Sequence, residues 1–295
     1  MKIIECVPNF SEGRDKKKVD GIANVLLKMP RINLLDYSMD ADHNRSVFTF
    51  AGPPDAVRQG AMAACDQALA VIDMRIHNGV HPRIGAVDIV PFIPLAEVKM
   101  NDAIDVAHQF GRDLAEKHHV PVYFYGDAAI VLQRKELSVI RRGGYENFKE
   151  KMKDPLWIPD AGPSIFNEMS GASAVGARIQ LIAFNINLKT SDLNLAKAIA
   201  RSIRESGGGL QYVKAMGVPL KSRNVVQVSM NLTDYRQTSM RAVFDEVTKK
   251  ASEQGVEVLE AELIGLAPRA AFKDTTSDYL RLSNFSEEKI LETHF

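Results

Sequence analysis

The apolar pattern of this 295-residue chain switches between strict alternation and a helical period, and it runs through the same order of elements twice. In the first half, strands are expected at "KIIECVPN", "INLLDYS", "SVFTFAG" and "AVDIVPFIPL". Between them lie a helical stretch from Asp15 to about Lys28 and the helix "PDAVRQGAMAACDQALAVI", which carries proline in its first turn. Strand-helix-strand-strand-helix-strand is the split βαβ, or ferredoxin-like, unit. The helix "MNDAIDVAHQFGRDLAEKHH" and the strand "VPVYFYG" extend this half. Residues 126 to 160 read as helix and irregular segments, and "DPLWIPDAGPS" holds too much proline and glycine for a regular element, which predicts a long loop. The order then recurs, with strands "ARIQLIAFNINL", "YVKAMGVPL", "VVQVSMNLTDY" and "VEVLEAELIGL" and helices from about Ser191 to Glu205 and Met240 to Glu253. No residue-level repeat accompanies the recurrence, so the halves share element order alone. The expected fold is α+β: two ferredoxin-like (βαββαβ) subdomains, residues 1–176 and 177–295, with a ligand groove between them.

The charges balance, 37 basic against 37 acidic residues, and no block of either sign stands out, so a nucleic-acid surface is not expected. "MKIIECVPNFSEGRD" lacks the apolar stretch of a signal peptide, and the most apolar run, "IGAVDIVPFIPLAEV", is broken by Asp88, Pro91 and Pro94. A cytoplasmic protein without membrane contact is expected. Cys6 and Cys65 lie in apolar surroundings without CxxC spacing, which predicts buried reduced thiols.

The chemistry concentrates in "HNGVHPRIGAVD", where two of the 7 histidines, His77 and His81, lie four apart. That spacing serves zinc on a helix, but Gly79 interrupts it and Pro82 biases His81 toward extended backbone. The bland reading is a solvated loop whose histidines satisfy nearby backbone. Against it, His81, Arg83 and Asp88 together offer a proton carrier, a fixed cation and an orienting carboxylate. A second cluster, "DYSMDADHNRS", crowds Asp36, Asp40, Asp42, His43, Asn44 and Arg45 into one connection; it lacks the glycine and closing glutamate of a calcium loop. Its acids are explained by turn chemistry, or, if the turn shares a sheet end with the His81 loop, by orienting His81. "GASAVGAR" has P-loop glycine spacing but Ala177 and Arg178 where lysine and serine or threonine belong, and Trp157 either covers a core edge or stacks on a planar ligand.

The segments "ECVPNFSEGR", "DHNRSVFTFAG", "HNGVHPRIGAVDIVPFIPL", "PVYFYG", "PDAGPS", "LIAFNINL" and "QVSMNLTDY" together resemble the glutamate formimidoyltransferase (formiminotransferase) family. The resemblance runs to about Pro268 and is to the stand-alone form, since no cyclodeaminase-sized segment follows. It implies transfer of the formimino group from N-formimino-L-glutamate to N5 of tetrahydrofolate, a dimeric enzyme of two ferredoxin-like subdomains, and folate bound between them. It implies His81, second histidine of H-x-G-x-H-P-R, as the catalytic group. The folate-contacting segment maps onto Gly162, Pro163, Ser164, Ile165, Phe166, Asn167, Glu168, Met169, Ser170 and Gly171. The acidic turn departs from the family in carrying Ser38, which leaves Asp40 to supply its carboxylate.

In that reading one histidine takes the proton from N5 and returns it to the departing glutamate nitrogen, so tetrahydrofolate is a co-substrate and no metal is needed. Arg83 is the candidate grip for a substrate carboxylate, Asp40 and Asn9 are further substrate-side candidates, and His77 supports the loop. Formyl transfer between N-formylglutamate and 5-formyltetrahydrofolate is a close alternative. A hydrolase with a metal at His77, His81 and the Asp40/Asp42 turn, and a folate-binding protein without activity, are the rivals.

Overall fold

In a computed structural model, whose described residues are 2–294, the chain divides into two compact units, one up to Ile179 and one from Gln180 onward. The first unit is built on a seven-stranded sheet. Its elements are β1 (Ile3–Cys6), β2 (Asn9–Phe10), α1 (Lys16–Leu27), β3 (Asn33–Asp40), β4 (Arg45–Gly52), α2 (Pro54–Val71), β5 (Val87–Ala96), α3 (Met100–His118), β6 (Val122–Gly126), α4 (Leu137–Ile140), α5 (Gly144–Lys151) and β7 (Ser173–Ala177). Strand β3 pairs with β4, which pairs with β1 and β2; these in turn pair with β5, all antiparallel. Beyond β5 the sheet continues in parallel through β7 to β6.

Two differences from the expected elements have simple causes. The first strand is split at Val7 and Pro8 into β1 and β2, because proline has no N–H to give to a ladder. Strand β7 occupies the stretch tested as a P-loop. It is buried along its whole length between two parallel neighbours, so it carries small apolar residues without the alternation that marks a half-exposed strand. One face of the sheet is covered by α1, α2 and α3 over a core that includes Phe10, Phe48, Phe50, Phe92, Phe110 and Phe124. A separate cluster, with Tyr123, Tyr125, Ile140 and Phe148, joins the sheet to α4 and α5. Cys6 and Cys65 are buried free thiols, and burial pushes both pKa values up.

The second unit has β8 (Ile182–Leu188), α6 (Leu193–Ile203), β9 (Val213–Leu220), β10 (Val225–Leu232), α7 (Met240–Ser252) and β11 (Val258–Ile264). The four strands form an antiparallel sheet in the order β11-β8-β10-β9. Asp192 caps α6 by accepting from Asn194 N at 2.8 Å, and Ser239 caps α7 through Ala242 N at 3.3 Å. Alternate residues of β8, Phe184, Ile186 and Leu188, enter the core with Val228, Ile199 and Val247. The intervening Asn185 and Asn187 point to the opposite face, where Asn187 bonds Glu260 and Glu262 at 3.0 Å each. The segment after Pro268 lies along β11, with Ala261 N bonding Arg281 O at 2.8 Å and Ala267 N bonding Lys289 O at 2.9 Å.

Ile186 is fully buried on a central strand, so Ile186→Ala should destabilise the second unit by about 2–5 kcal/mol, read as a lowered urea midpoint. A loss under about 1 kcal/mol would show that this strand is not the packing centre.

Candidate active site

The loop from His77 to Arg83 rests on the turn that joins β3 to β4. Asn44 sits at that turn in the left-handed region, φ 47°, and ties three segments together. Its Oδ1 accepts from Gly13 N at 3.0 Å, its Nδ2 donates to Asn78 O at 2.8 Å, and its carbonyl meets His77 Nε2 at 2.9 Å. Val80 N adds a bond to Asp42 O at 3.2 Å. Gly79 permits the contact, since a Cβ there would stand 2.4 Å from the His43 carbonyl oxygen. The glycine between the two histidines therefore serves close approach to the turn.

The histidine loop and the acidic turn thus do meet, but the group that reaches His81 is a cation. Arg45 Nη1 hydrogen-bonds His81 Nε2, while His81 Nδ1 faces Pro82 O at 2.8 Å. A guanidinium only donates and a carbonyl only accepts, so His81 carries its proton on Nδ1 and has a bare Nε2. Burial first, then the charges of Arg45 and Arg141 and the nearby His43, hold the His81 pKa well below the ordinary 6.5. The His43 ring lies against it, centroids 5.8 Å apart. The side chain is half-buried and neutral at physiological pH.

The other expected site residues have definite places. Arg83 is buried and its guanidinium is engaged within the protein: Nη1 and Nη2 form a fork on Glu146 at 3.0 and 2.6 Å, and Nε donates to His77 Nδ1 at 3.1 Å. As it stands it has no fork to offer a substrate carboxylate, and together with His77 it stiffens the loop. Asp40 is exposed and accepts from His43 N at 2.7 Å, which is turn chemistry. Asp88 is buried; its Oδ1 accepts from Ile84 N at 2.9 Å and its Oδ2 pairs with Arg141. It therefore orients Arg141 rather than His81. Asn9 is buried in β2 and donates to Val7 O at 2.9 Å.

The segment from Gly162 to Gly171 is anchored at its C-terminal end beside the same loop. Gly171, φ 71°, forms a bridge with Gly85, Ser170 O accepts from Ala86 N at 2.8 Å, and Met169 O accepts from Met74 N at 2.9 Å. Asn167 turns the chain by accepting from Met169 N and Ser170 N at 3.1 Å each. Glu168 pairs with Lys149 at 2.7 Å, and Phe166 packs on Tyr145 with centroids 5.3 Å apart. Gly162, Ser164 and Ile165 are exposed and Pro163 is half-buried, so the N-terminal part of the segment offers surface beside Ile165, which is 76% exposed. Trp157 packs on Tyr123 and is covered by Lys151, whose Nζ lies 3.6 Å from the ring centroid, so it closes a core edge.

Sequence reasoning missed Arg141, Glu146 and Lys151. Lys151 Nζ donates to Val139 O and Ile140 O at 2.9 and 2.7 Å and so caps α4, next to Arg141; burial and then the Arg142 and Arg134 charges lower its pKa to about 8. These residues lie in the stretch read as helix and irregular segments, and nothing in its pattern links it to His81. Arg45 was visible within the polar cluster, but the group that orients His81 was sought among the cluster's carboxylates. Among the described residues no group of three His, Cys, Asp or Glu side chains converges as a metal site. The imidazoles of the rival metal reading are otherwise engaged, His77 by Arg83 and Asn44 O, His81 by a guanidinium that repels a cation. Among the described residues no helix is long and apolar enough to cross a membrane.

A neutral histidine whose Nε2 carries no proton lies beside Arg45 and near Arg141 in an α+β unit, an arrangement chemically suited to accept a proton. Residues 3–178 match the family model for the formiminotransferase domain, N-terminal subdomain, and residues 183–293 match that for the formiminotransferase domain. The chain belongs to the formiminotransferase family. It is 42% identical to the glutamate formimidoyltransferase of Thermoplasma acidophilum, over 99% of this chain and 97% of that protein. It is 40% identical to the glutamate formimidoyltransferase of Streptococcus pyogenes, over 99% and 98%. It is also 42% identical to the formimidoyltransferase-cyclodeaminase of Gallus gallus, over 95% of this chain and 53% of that longer protein.

Two outcomes test the site's construction. Asn44→Gly keeps the left-handed turn and deletes the amide, leaving Gly13 N and Asn78 O without their partner; a loss of about 1–3 kcal/mol in thermal or urea unfolding is expected. His77 and His81 are both held below the ordinary 6.5. As pH falls below that value the unfolded chain takes up protons that the folded one refuses, so stability drops, by up to about 1.4 kcal/mol per pH unit for each such proton. His81→Asn should flatten this slope, measured by urea unfolding at several pH values; an unchanged slope would show that His81 titrates normally.

Proposed function

We propose that the protein is a glutamate formimidoyltransferase, which moves the formimino group of N-formimino-L-glutamate to N5 of tetrahydrofolate and releases L-glutamate. The observation that carries the reading is His81 Nε2, an imidazole nitrogen free of a proton beside Arg45 and near Arg141, in a chain that matches proteins of this name over nearly its full length. The proton count is closed within one residue. His81 accepts the proton that the N5 amine loses as it attacks the amidine carbon, and the resulting imidazolium hands it to the glutamate nitrogen as the carbon–nitrogen bond breaks. The low pKa suits the second step, because an imidazolium that resists being charged is a strong proton donor. Arg45 and Arg141 surround the histidine with positive charge, which stabilises the anionic donor and the electron density that builds during transfer. His77 and Arg83 hold the loop, and Glu146 neutralises Arg83.

Tetrahydrofolate enters this reading as a co-substrate, with Gly162–Gly171 as the segment that meets it. Support comes from the anchoring of that segment against Ile84–Ala86, the stretch that follows His81. The element orders of both units support ferredoxin-like modules, and the resemblance to the family supports a homodimeric, cytoplasmic enzyme.

Formiminoglutamate and tetrahydrofolate supplied together should give 5,10-methenyltetrahydrofolate after acid treatment, read by absorbance, with chelators without effect. His81→Ala should lower kcat about 10²–10⁴-fold while folate binding persists. No product from the wild type despite folate binding would sink the transferase reading, and loss of formiminoglutamate without folate would replace it by hydrolysis.

A further inference from the structure

His81 cannot act as drawn until something changes at its reacting nitrogen. Nδ1 is tied to Pro82 O at 2.8 Å, so Nε2 is the nitrogen left for chemistry, and Arg45 Nη1 holds its lone pair. An imidazole whose lone pair accepts a hydrogen bond from a guanidinium has no electrons to offer a second proton. The base is therefore capped, and Arg45 has to leave it before any transfer begins.

The charges around Arg45 show what would draw it away. The groups facing His81 and Arg45 are Arg141, His43, Asp88 and Asp40. Asp88 is taken by Arg141 and Ile84 N. Asp40 is exposed and takes His43 N. Among the described residues no ion pair joins Arg45 to a carboxylate, and burial followed by repulsion from Arg141 lowers its pKa to about 10. Asp88 is committed to Arg141 and Asp40 stands at the exposed turn, so the Arg45 guanidinium has no carboxylate seated on its fork and can take a planar carboxylate that matches it.

We propose that Arg45 binds the α-carboxylate of the formimino donor and, in moving to it, uncovers His81 Nε2 for proton transfer. The inference rests on the transferase reading above. The α-carboxylate is the one selected because it sits on the carbon that bears the nitrogen to be protonated, next to His81, whereas the γ-carboxylate is at the far end of the side chain. Arg83 is not available for this role, since Glu146 fills its fork. The donor thereby switches on its own base. A tetrahydrofolate bound alone meets a capped histidine, which prevents idle proton exchange at N5.

The test is a ¹⁵N-histidine NMR titration of His81 in the full chain, wild type and Arg45→Met, with no addition, with L-glutamate, with L-2-aminobutyrate, which lacks the γ-carboxylate, and with 4-aminobutyrate, which lacks the α-carboxylate. In the wild type, glutamate and 2-aminobutyrate should raise the His81 midpoint and 4-aminobutyrate should not. In Arg45→Met the midpoint should start higher and none of the three should move it. A wild-type midpoint indifferent to glutamate, a shift by 4-aminobutyrate but not 2-aminobutyrate, or a response of Arg45→Met equal to that of the wild type would each overturn the proposal. If Arg45→Met does not fold, the wild-type series decides alone. Arg45→Lys, which keeps the charge and loses the fork, should raise KM for formiminoglutamate roughly tenfold or more with little change in KM for folate. Wild-type turnover separates the two claims: no product sinks the transferase reading, whereas product with an unresponsive His81 midpoint sinks the Arg45 role alone.

Discussion

The site depends on one turn and the two glycines that press against it. A Cβ on Gly13 would stand 2.2 Å from Asp40 O, and one on Gly79 would stand 2.4 Å from His43 O, so the first-strand loop and the histidine loop close on the β3–β4 turn from two directions. Asn44 ties both to the turn through side-chain and main-chain bonds. Side chains at the glycine positions would push the segments apart by a large part of a van der Waals diameter. Arg45 follows directly after Asn44, so the contact that fixes the turn also delivers the guanidinium to His81.

Charge then determines what the assembled site can do. Two arginines and a neutral histidine share a region in which the buried carboxylate Asp88 is already bonded to Arg141 and to Ile84 N. His81 and Arg45 are half-buried, and lost solvation together with the nearby arginine charge lowers the pKa of both. A neutral base and an anion-seeking cation are two results of the same desolvation. The outer pairs, Arg83 with Glu146 and Lys149 with Glu168, complete their own charges, while Arg45 is turned to His81.

Much of this could be read in the chain and some could not. The order of strands and helices follows from local periodicity, and the caps at Asp15, Asp192 and Ser239 stand where helix starts are expected. Strand β7 was missed because burial on both faces removes alternation, and the break at Pro8 was passed over because one missing N–H does not disturb an apolar pattern. The histidine loop stood out through residue type and spacing. Its partners did not: the carboxylates sought near His81 serve the turn and Arg141, while Arg83, adjacent in sequence, points to Glu146 far along the chain.

The sequence by itself determined the order of the elements other than β7 and the break at Pro8, the buried thiols, the loop that carries His81 and the family to which the chain belongs. These rest on short-range periodicity and on linear motifs, which a string of residues displays directly. Only the tertiary structure decided which charge meets which. Arg141 and Asp88 are brought together across a long connection, and Arg45 rather than Asp40 meets His81 because Asp40, its cross-strand partner, turns its carboxylate back onto His43 N within the β3–β4 turn. Protonation state depends on burial and on the sign of the nearest charge, and both are properties of the folded chain.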